Sequence, residues 1–429
     1  MIYLINEKGD ENMKVARFKF IIVTGIVLIM LMLAGCTGTN ADTNTTTSLF
    51  QGSTSGLVFD NTGHEGEFAV VSYLGNSENV IIGSTYYGYP VTSISADVFS
   101  NAEVTVTKIT LPDSIVMIEA GAFASAEFEE FTVPVSLTYF AQAFGAYRGD
   151  VSIKLAESHP TLKEVTIGGH KAIVNLDETE LMFVFDTSLP DETFTIPDTY
   201  VEIAPYAFSG TSYMKVVVPS SVSTIGTFAF SGMECEEIDL PDSLEVIETA
   251  TFIDTPDAVI NIPVNVKTIG AYAFCNSGFT GELVLPEGVE TVGEGAFNAN
   301  RLTSIVLPST LTNLAPGFFA NDGALLEHAN CVTRITFNSI GFTMNAYSMR
   351  FYLQQFIYLN YAGQGYWQSC DDDVQITIVL PVEYQDAFSL ERSFTYAWNT
   401  EFNFGYSYTD FLYRGFSTES FIYAYEGDQ

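Results

Sequence analysis

Phenylalanine returns on a nearly fixed beat through the middle of this chain, at Phe208, Phe230, Phe252, Phe274, Phe297 and Phe319, with Phe99, Phe123 and Phe144 upstream in the same series. A proline stands 11 residues before most of them: Pro112, Pro197, Pro219, Pro241, Pro263, Pro286 and Pro308. Self-similarity at a period of 22 residues means a solenoid, because no single unit can bury its own apolar side and each must stack on its neighbours.

The unit reads as a strand followed by a turn. Ile238 and Leu240, three and one before Pro241, point to one side of an extended segment. Equivalent pairs are Ile109 and Leu111, Phe131 and Val133, Phe194 and Ile196, Val216 and Val218, Ile260 and Ile262, Leu283 and Leu285, and Ile305 and Leu307. Proline ends the strand because it has no N–H for the ladder. Two residues on comes a small, mostly hydroxyl residue: Ser114, Ser136, Thr199, Ser221, Ser243, Asn265, Gly288 or Thr310. No partnering base repeats beside this row, so it reads as turn-fixing through nearby backbone groups rather than nucleophilic. Apolar residues follow three and six after the proline, as at Val222 and Ile225, Leu244 and Ile247, Val266 and Ile269. The unit closes on a small residue and Phe (Ala122-Phe123, Ala207-Phe208, Ala229-Phe230, Ala273-Phe274), the alanine leaving room for close coils and the ring filling the gap between them. Twenty-two residues hold a short strand and a helical turn but no full helix. The expected fold is therefore a leucine-rich-repeat-like solenoid of stacked parallel strands with short helical turns, mainly β.

Units such as "ITLPDSIVMIEAGAF", "VVVPSSVSTIGTFAF" and "INIPVNVKTIGAYAF" resemble the BspA-type leucine-rich repeat of bacterial surface proteins, and "VIIGSTYYGYPVTSISADVF" is similar to the usual first unit of such arrays. The resemblance covers roughly residues 67–337. It implies a cell-surface binding or adhesion protein without enzymatic activity. The beat breaks at Pro134, whose Phe144 comes ten residues later. It breaks again between Phe144 and Pro197, where "LKEVTIGG" reads as a strand and "LMFVFDTSLPDETFTIP" as strand, turn and strand. After Phe319 one more strand, "RITFN", precedes the loss of the rhythm.

At the N-terminus, Lys14, Arg17 and Lys19 precede an apolar stretch from Phe20 to Ala34, short for a membrane span and fit for an export signal. Leu33-Ala34-Gly35-Cys36 resembles the lipobox of bacterial lipoproteins, which implies cleavage before Cys36 and its lipidation; an uncleaved anchor is the alternative. Met13 is the more natural start. Residues 37–56 are small and polar and read as a flexible tether. The expected organisation is a signal over 1–35, lipidated Cys36 and tether to 56, an N-terminal β cap over 57–88, the solenoid over 89–337 and an aromatic-rich C-terminal cap region over 338–429. In that last region "EFNFGYSY" and "FIYAY" alternate aromatics with other residues, as a strand with one aromatic face does. "SMRFYLQQFIYLNYA" is a candidate amphipathic helix. The aromatic face either covers the last coil or forms a platform for a sugar or protein.

The chain carries 16 basic and 52 acidic side chains, a balance of −36 that becomes −37 without residues 1–35. Such a surface repels nucleic acid and anionic lipid and excludes both as electrostatic partners, leaving the lipid anchor as the membrane contact. Asp371-Asp372-Asp373 lacks the alternating ligands of a calcium loop. Cys235, Cys275, Cys331 and Cys370 show no metal-ligand spacing and read as buried free thiols, although their even count permits disulfides. His64, His159, His170 and His328 fall outside any triad or zinc motif, and no Gly-rich phosphate loop opens a helix. No catalytic residue, metal site or cofactor is expected. Arg148-Gly149-Asp150, in a loop after Phe144, is a tripeptide that integrins can read but that also arises by chance.

Binding through the strand face would use the side chains between the buried pairs: Thr195, Val217, Asp239, Asn261, Val284 and Val306, with Thr110 and Thr132 upstream. A mixed surface of this kind suits a protein partner, such as a host matrix or another cell surface, although β-propensity alone also accounts for such residues. Two other readings stay open: carbohydrate capture by Trp398, Tyr406 and Tyr408, and a structural role in the envelope.

Overall fold

The computed structural model describes residues 52–61, 66–145, 151–185, 192–315, 317–319, 332, 334–338, 376–380 and 421–425. They wind into a β-solenoid of about 11 turns. Each coil has three sides, and the sequence assigns a role to each.

The first side is the strand that ends at the proline. Thr193–Thr195, Ser212–Val217, Glu234–Asp239 and Val259–Ile260 form one parallel sheet, with Phe194, Val216, Ile238 and Ile260 aligned and buried. Thr280–Val284, Arg301–Leu307 and Arg334–Phe337 begin a second, which Ile376–Leu380 and Phe421–Tyr425 continue in parallel. The "FIYAY" strand is thus present, but as a rung of the same sheet: Ile335, Ile378 and Tyr423 are in register. The segments that link these rungs, including "EFNFGYSY" and the candidate helix, lie outside the described residues. Earlier coils contribute the pairs Asn79–Ile81 with Lys108–Thr110 and Glu130–Val133 with Ser152–Leu155.

The second side is a two-residue strand in each coil. Glu202–Ile203 and Thr224–Ile225 pair, as do Val246–Ile247, Thr268–Ile269, Thr291–Val292 and Asn313–Leu314. The hydroxyl row lies just before it and acts at longer range than expected. Ser114 donates to the carbonyl of Val91 at 2.7 Å, Ser136 to Ile115 at 2.6 Å, Ser221 to Tyr200 at 2.8 Å, Ser243 to Val222 at 3.1 Å and Thr310 to Val289 at 2.9 Å. Each side chain bonds the preceding coil rather than its own turn.

The third side holds the Phe. Where the period suggests a helical turn, the described residues contain one 3-10 helix, Ala141–Phe144, in the shortened unit. From Phe208 to Phe297 the backbone enters the left-handed region twice per coil, two residues before and two after the Phe, as at Phe228 (φ 58°) and Gly232 (φ 63°), Ala250 (φ 53°) and Asp254 (φ 59°), Tyr272 (φ 55°) and Asn276 (φ 52°). These reversals turn alternate N–H groups outward along the stack. Phe230 donates to Thr251 at 2.9 Å, Phe252 to Ala273 at 2.9 Å and Phe274 to Ala296 at 2.8 Å, each in the next coil. Ala229 and Ser231 close turns within their own coil. A helix would spend all these donors internally, so coil-to-coil bonding replaces it. The Phe208, Phe230, Phe252, Phe274 and Phe297 rings stack face to face with centroids 5.0–5.3 Å apart, wholly buried. Each contributes about 1.5–3 kcal/mol from burial alone.

The insertion between Phe144 and Pro197 forms an antiparallel meander of Leu162–Ile167, His170–Asn175 and Glu180–Val184, the last pairing in parallel with Glu202–Ile203. The middle strand is not visible in the sequence pattern. The second and third strands of the meander are buried on both faces along most of their length and separate two cores: Ala172, Val174, Leu181 and Val184 face the core that continues to Phe337, while Ile173, Met182 and Phe183 face the one that begins at Leu57. At the start, Leu57–Asn61 pairs antiparallel with Phe68–Tyr73, which runs parallel to Tyr89–Ile94. Ser53 and Thr54, in the stretch read as tether, accept the N–H groups of Gly83 and Ile81 at 2.8 and 2.7 Å.

Candidate binding face

The long-strand side presents the side chains that the alternation places outward. Thr195, Val217 and Asp239 are consecutive in register on three strands. Thr195 and Asp239 are exposed and Val217 is half-buried. Asn261 is exposed one residue past Val259–Ile260. Val284 and Val306 are in register with each other and with Thr336, Val284 exposed and Val306 half-buried. The six positions therefore fall in two rows, because no ladder joins Val259–Ile260 to Thr280–Val284. The offset coincides with one extra residue between Pro263 and Pro286. Thr110 and Thr132 are likewise exposed on their strands.

A second outward row, two residues earlier, escaped the sequence reading: Lys215, Glu237, Val259, Glu282, Ser304 and Arg334. Opposite charges there sit one coil apart. Lys215 Nζ lies 2.9 Å from Glu237 and 3.7 Å from Asp239, and Lys154 pairs with Glu130 upstream. Ser212 donates to Glu234 at 3.1 Å and Ser304 to Glu282 at 3.4 Å. The hydrogen bond that Lys215 donates to Glu237, helped by the charges of Glu237 and Asp239, holds its ammonium above the usual lysine range. Comparing residues 22 apart for opposite charge would have found this row.

The chemically versatile side chains are committed to structure. His159 Nε2 donates to the carbonyls of Pro134 and Leu137 at 3.0 and 3.1 Å, while its Nδ1 accepts the Leu162 N–H at 3.2 Å. His170 is buried against Phe194 and Tyr213, with Nε2 3.2 Å from Glu192. Cys235 and Cys275 are buried and unbridged. Burial pushes the Cys235 thiol up, away from the thiolate that reactive cysteines need. Among the described residues no three or more His, Cys, Asp and Glu gather as a metal site. No described helix is long and apolar enough to cross a membrane. Cys36, Arg148-Gly149-Asp150, Cys331, Cys370, Asp371-Asp372-Asp373, Trp398, Tyr406 and Tyr408, with His64 and His328, lie outside the described residues.

What the geometry offers is thus a ruled surface of repeated outward rows. The family model for the BspA type leucine rich repeat region matches six copies, over residues 77–170, 201–326 and 258–345, more than half of the chain. This chain belongs to the BspA-type leucine-rich repeat family. Members of that family are typically bacterial surface proteins, with binding rather than catalytic roles. Solved structures similar to this BspA-type chain include the pneumococcal vaccine antigen PcpA, at 18% identity over 77% of this chain and 78% of that one, TM-score 0.38. A leucine-rich cell surface protein of Faecalibacterium prausnitzii A2-165 is 16% identical over 68% of this chain and 94% of its own, TM-score 0.32. A leucine-rich repeat protein of T. pallidum is 22% identical over 41% and 83%, TM-score 0.27. No curated protein matches the chain.

Proposed function

We propose that this chain is a non-catalytic adhesion protein of the bacterial surface, held to the membrane by lipid on Cys36 and engaging a protein through its long-strand face. The observation that carries this reading is the register of the outward rows, Thr195–Val217–Asp239 and Val284–Val306–Thr336. Rows repeated at the strand spacing of about 4.8 Å suit an extended contact area, as solenoid faces do. His159, His170 and the row hydroxyls of Ser136, Ser221 and Ser243 offer no competing chemistry, since they are bonded to backbone or to a neighbouring carboxylate.

The test is binding of the chain from residue 51 onward to arrayed matrix proteins and glycans at physiological salt. Saturable binding to a protein, lost on joint replacement of Val217, Asp239 and Asn261, is the expected outcome. Binding to glycans alone would transfer the site to Trp398, Tyr406 and Tyr408. Absence of binding at micromolar concentrations would leave an envelope role. Lipidation is tested by mass: Cys36→Ser should lose the acyl mass and release the protein from the membrane fraction.

A further inference from the structure

The short-strand face changes character along the stack, and the repeat supplies its own control. The residues four and five after each proline lie at the outer edge of this face. From the fifth proline-headed coil onward they are polar except for Val246: Glu245-Val246, Lys267-Thr268, Glu290-Thr291 and Thr312-Asn313, preceded by Ser223-Thr224. In the earlier coils the same positions hold Val116-Met117, Thr138-Tyr139 and Val201-Glu202, with Leu176 beside them from the meander. Val116, Met117, Tyr139, Leu176 and Val201 are 44–61% exposed. Packing demands the same of each coil, so the stack does not explain the apolar choice at one end.

Hydrogen bonds link the coils that carry these side chains. Met117 pairs with Ser93 in the sheet. Ser136 reaches the Ile115 carbonyl at 2.6 Å and Gln142 Nε2 the Ile118 carbonyl at 3.1 Å, which sets Tyr139 alongside Met117. The Tyr139 hydroxyl donates to Glu180 at 3.0 Å, and the Val201 N–H to the Thr179 carbonyl at 2.8 Å. Leu176 is tied through its N–H to Thr161, whose hydroxyl is 3.3 Å from that of Thr138. Contiguous exposed apolar surface of this sort marks an interaction site.

The strip contains an unanswered charge. Glu180 and Glu202 are directly in register on adjacent parallel strands, a like-charge arrangement that opposes folding. The meander lysines are engaged elsewhere, Lys163 with Glu178 and Lys171 with Glu164. Burial, reinforced by the charge of Glu202, pushes the Glu180 carboxyl up despite the Tyr139 hydrogen bond that lowers it. We propose that this strip docks an extended protein segment in which apolar residues flank a lysine or arginine, the apolar side chains lying over Met117, Tyr139 and Val201 and the cation between Glu180 and Glu202. It is a second interface, on a different side of the coil from the long-strand rows.

Fluorescence anisotropy of the full-length chain with labelled peptides that alternate valine with lysine, glutamate or serine tests the assignment. The lysine peptide should bind and the glutamate peptide should not. Affinity for the lysine peptide should fall about tenfold in E180Q/E202Q and in Y139S/V201S. It should stay within about twofold in E237Q/D239N, which alters the other face. Met117→Ser, at an exposed position, reads the same strip if a double variant fails to fold. Failure of the lysine peptide to bind, or equal weakening by E237Q/D239N, would overturn the proposal. Equal binding to every variant would overturn it too, because it would mean general attraction to an acidic chain.

Discussion

Most coils turn at a residue held in the left-handed region two places before the Phe, and most of these put a side chain there. Tyr206, Phe228, Ala250 and Tyr272 all carry φ between 53° and 61°. A left-handed conformation costs a non-glycine residue about 1–2 kcal/mol, which the coil-to-coil hydrogen bonds must offset. Gly121 and Gly295 occupy the same repeat position with φ of 71° and 63°, but in different surroundings. A Cβ on Gly121 would meet nothing within 4 Å; on Gly295 it would lie 2.4 Å from Tyr272 Cε1. Gly121→Ala should therefore cost only the backbone term, about 1 kcal/mol. Gly295→Ala should cost about 1 kcal/mol more, because the Tyr272 ring has to move. Urea unfolding of the two variants measures the difference, and adding Tyr272→Ala to Gly295→Ala should shrink it. Equal costs without that second change would show that the ring does not crowd the corner.

At the scale of the element, the pairing of Glu180–Val184 with Glu202–Ile203 joins the meander to the short-strand face through two like charges. The folded state raises the Glu180 carboxyl above its ordinary value of 4.5, so the folded chain holds that proton more tightly than the unfolded one. Stability from this group is then lost as pH rises from the ordinary value through the raised one, and stays lower at neutral pH. Glu180→Gln, which still accepts the Tyr139 hydroxyl, should raise Tm at pH 7, and the gain should vanish below about pH 4. Thermal melts across that range check it; a gain that persists in acid would assign the effect to something other than the charge. The elements themselves were unequally legible. Prolines, paired apolar residues and Ala-Phe gave the strands and the stacking, because each residue type has one physical reason to recur. His170–Asn175 escaped because Ala172, Ile173 and Val174 are all buried, and a strand covered on both faces shows no alternation. The corners escaped because no single residue type marks the left-handed positions: Tyr206, Phe228, Ala250 and Tyr272 share the place that Gly121 and Gly295 hold in other coils. The coil-to-coil staples of Ser136 and Ser221 were invisible because each partner lies 21 residues away. In the candidate face, outward positions followed from period two, whereas the split into two rows depended on one extra residue whose effect on pairing is three-dimensional.

Across the whole molecule, the meander is a wall as well as an insertion. Two apolar cores meet at it and do not merge, one from Leu57 to Tyr206 and the other from Ile167 to Phe337. In a solenoid, stability is close to a sum of unit terms and nearest-neighbour interfaces, so damage spreads only as far as the coupling between neighbours carries it. Phe252 is the place to damage: it is wholly buried between Phe230 and Phe274, with ring centroids 5.3 Å away on either side. Phe252→Ala should cost about 3–5 kcal/mol, since both flanking rings lose a partner and the stack cannot close over the gap. Hydrogen exchange of the variant should then show lost protection in the strands from Ser212–Val217 to Arg334–Phe337. Amides of Tyr89–Ile94 and Lys108–Thr110, beyond the wall, should keep theirs. Equal loss on both sides would mean that the meander transmits unfolding, and that the two cores stand or fall as one cooperative unit.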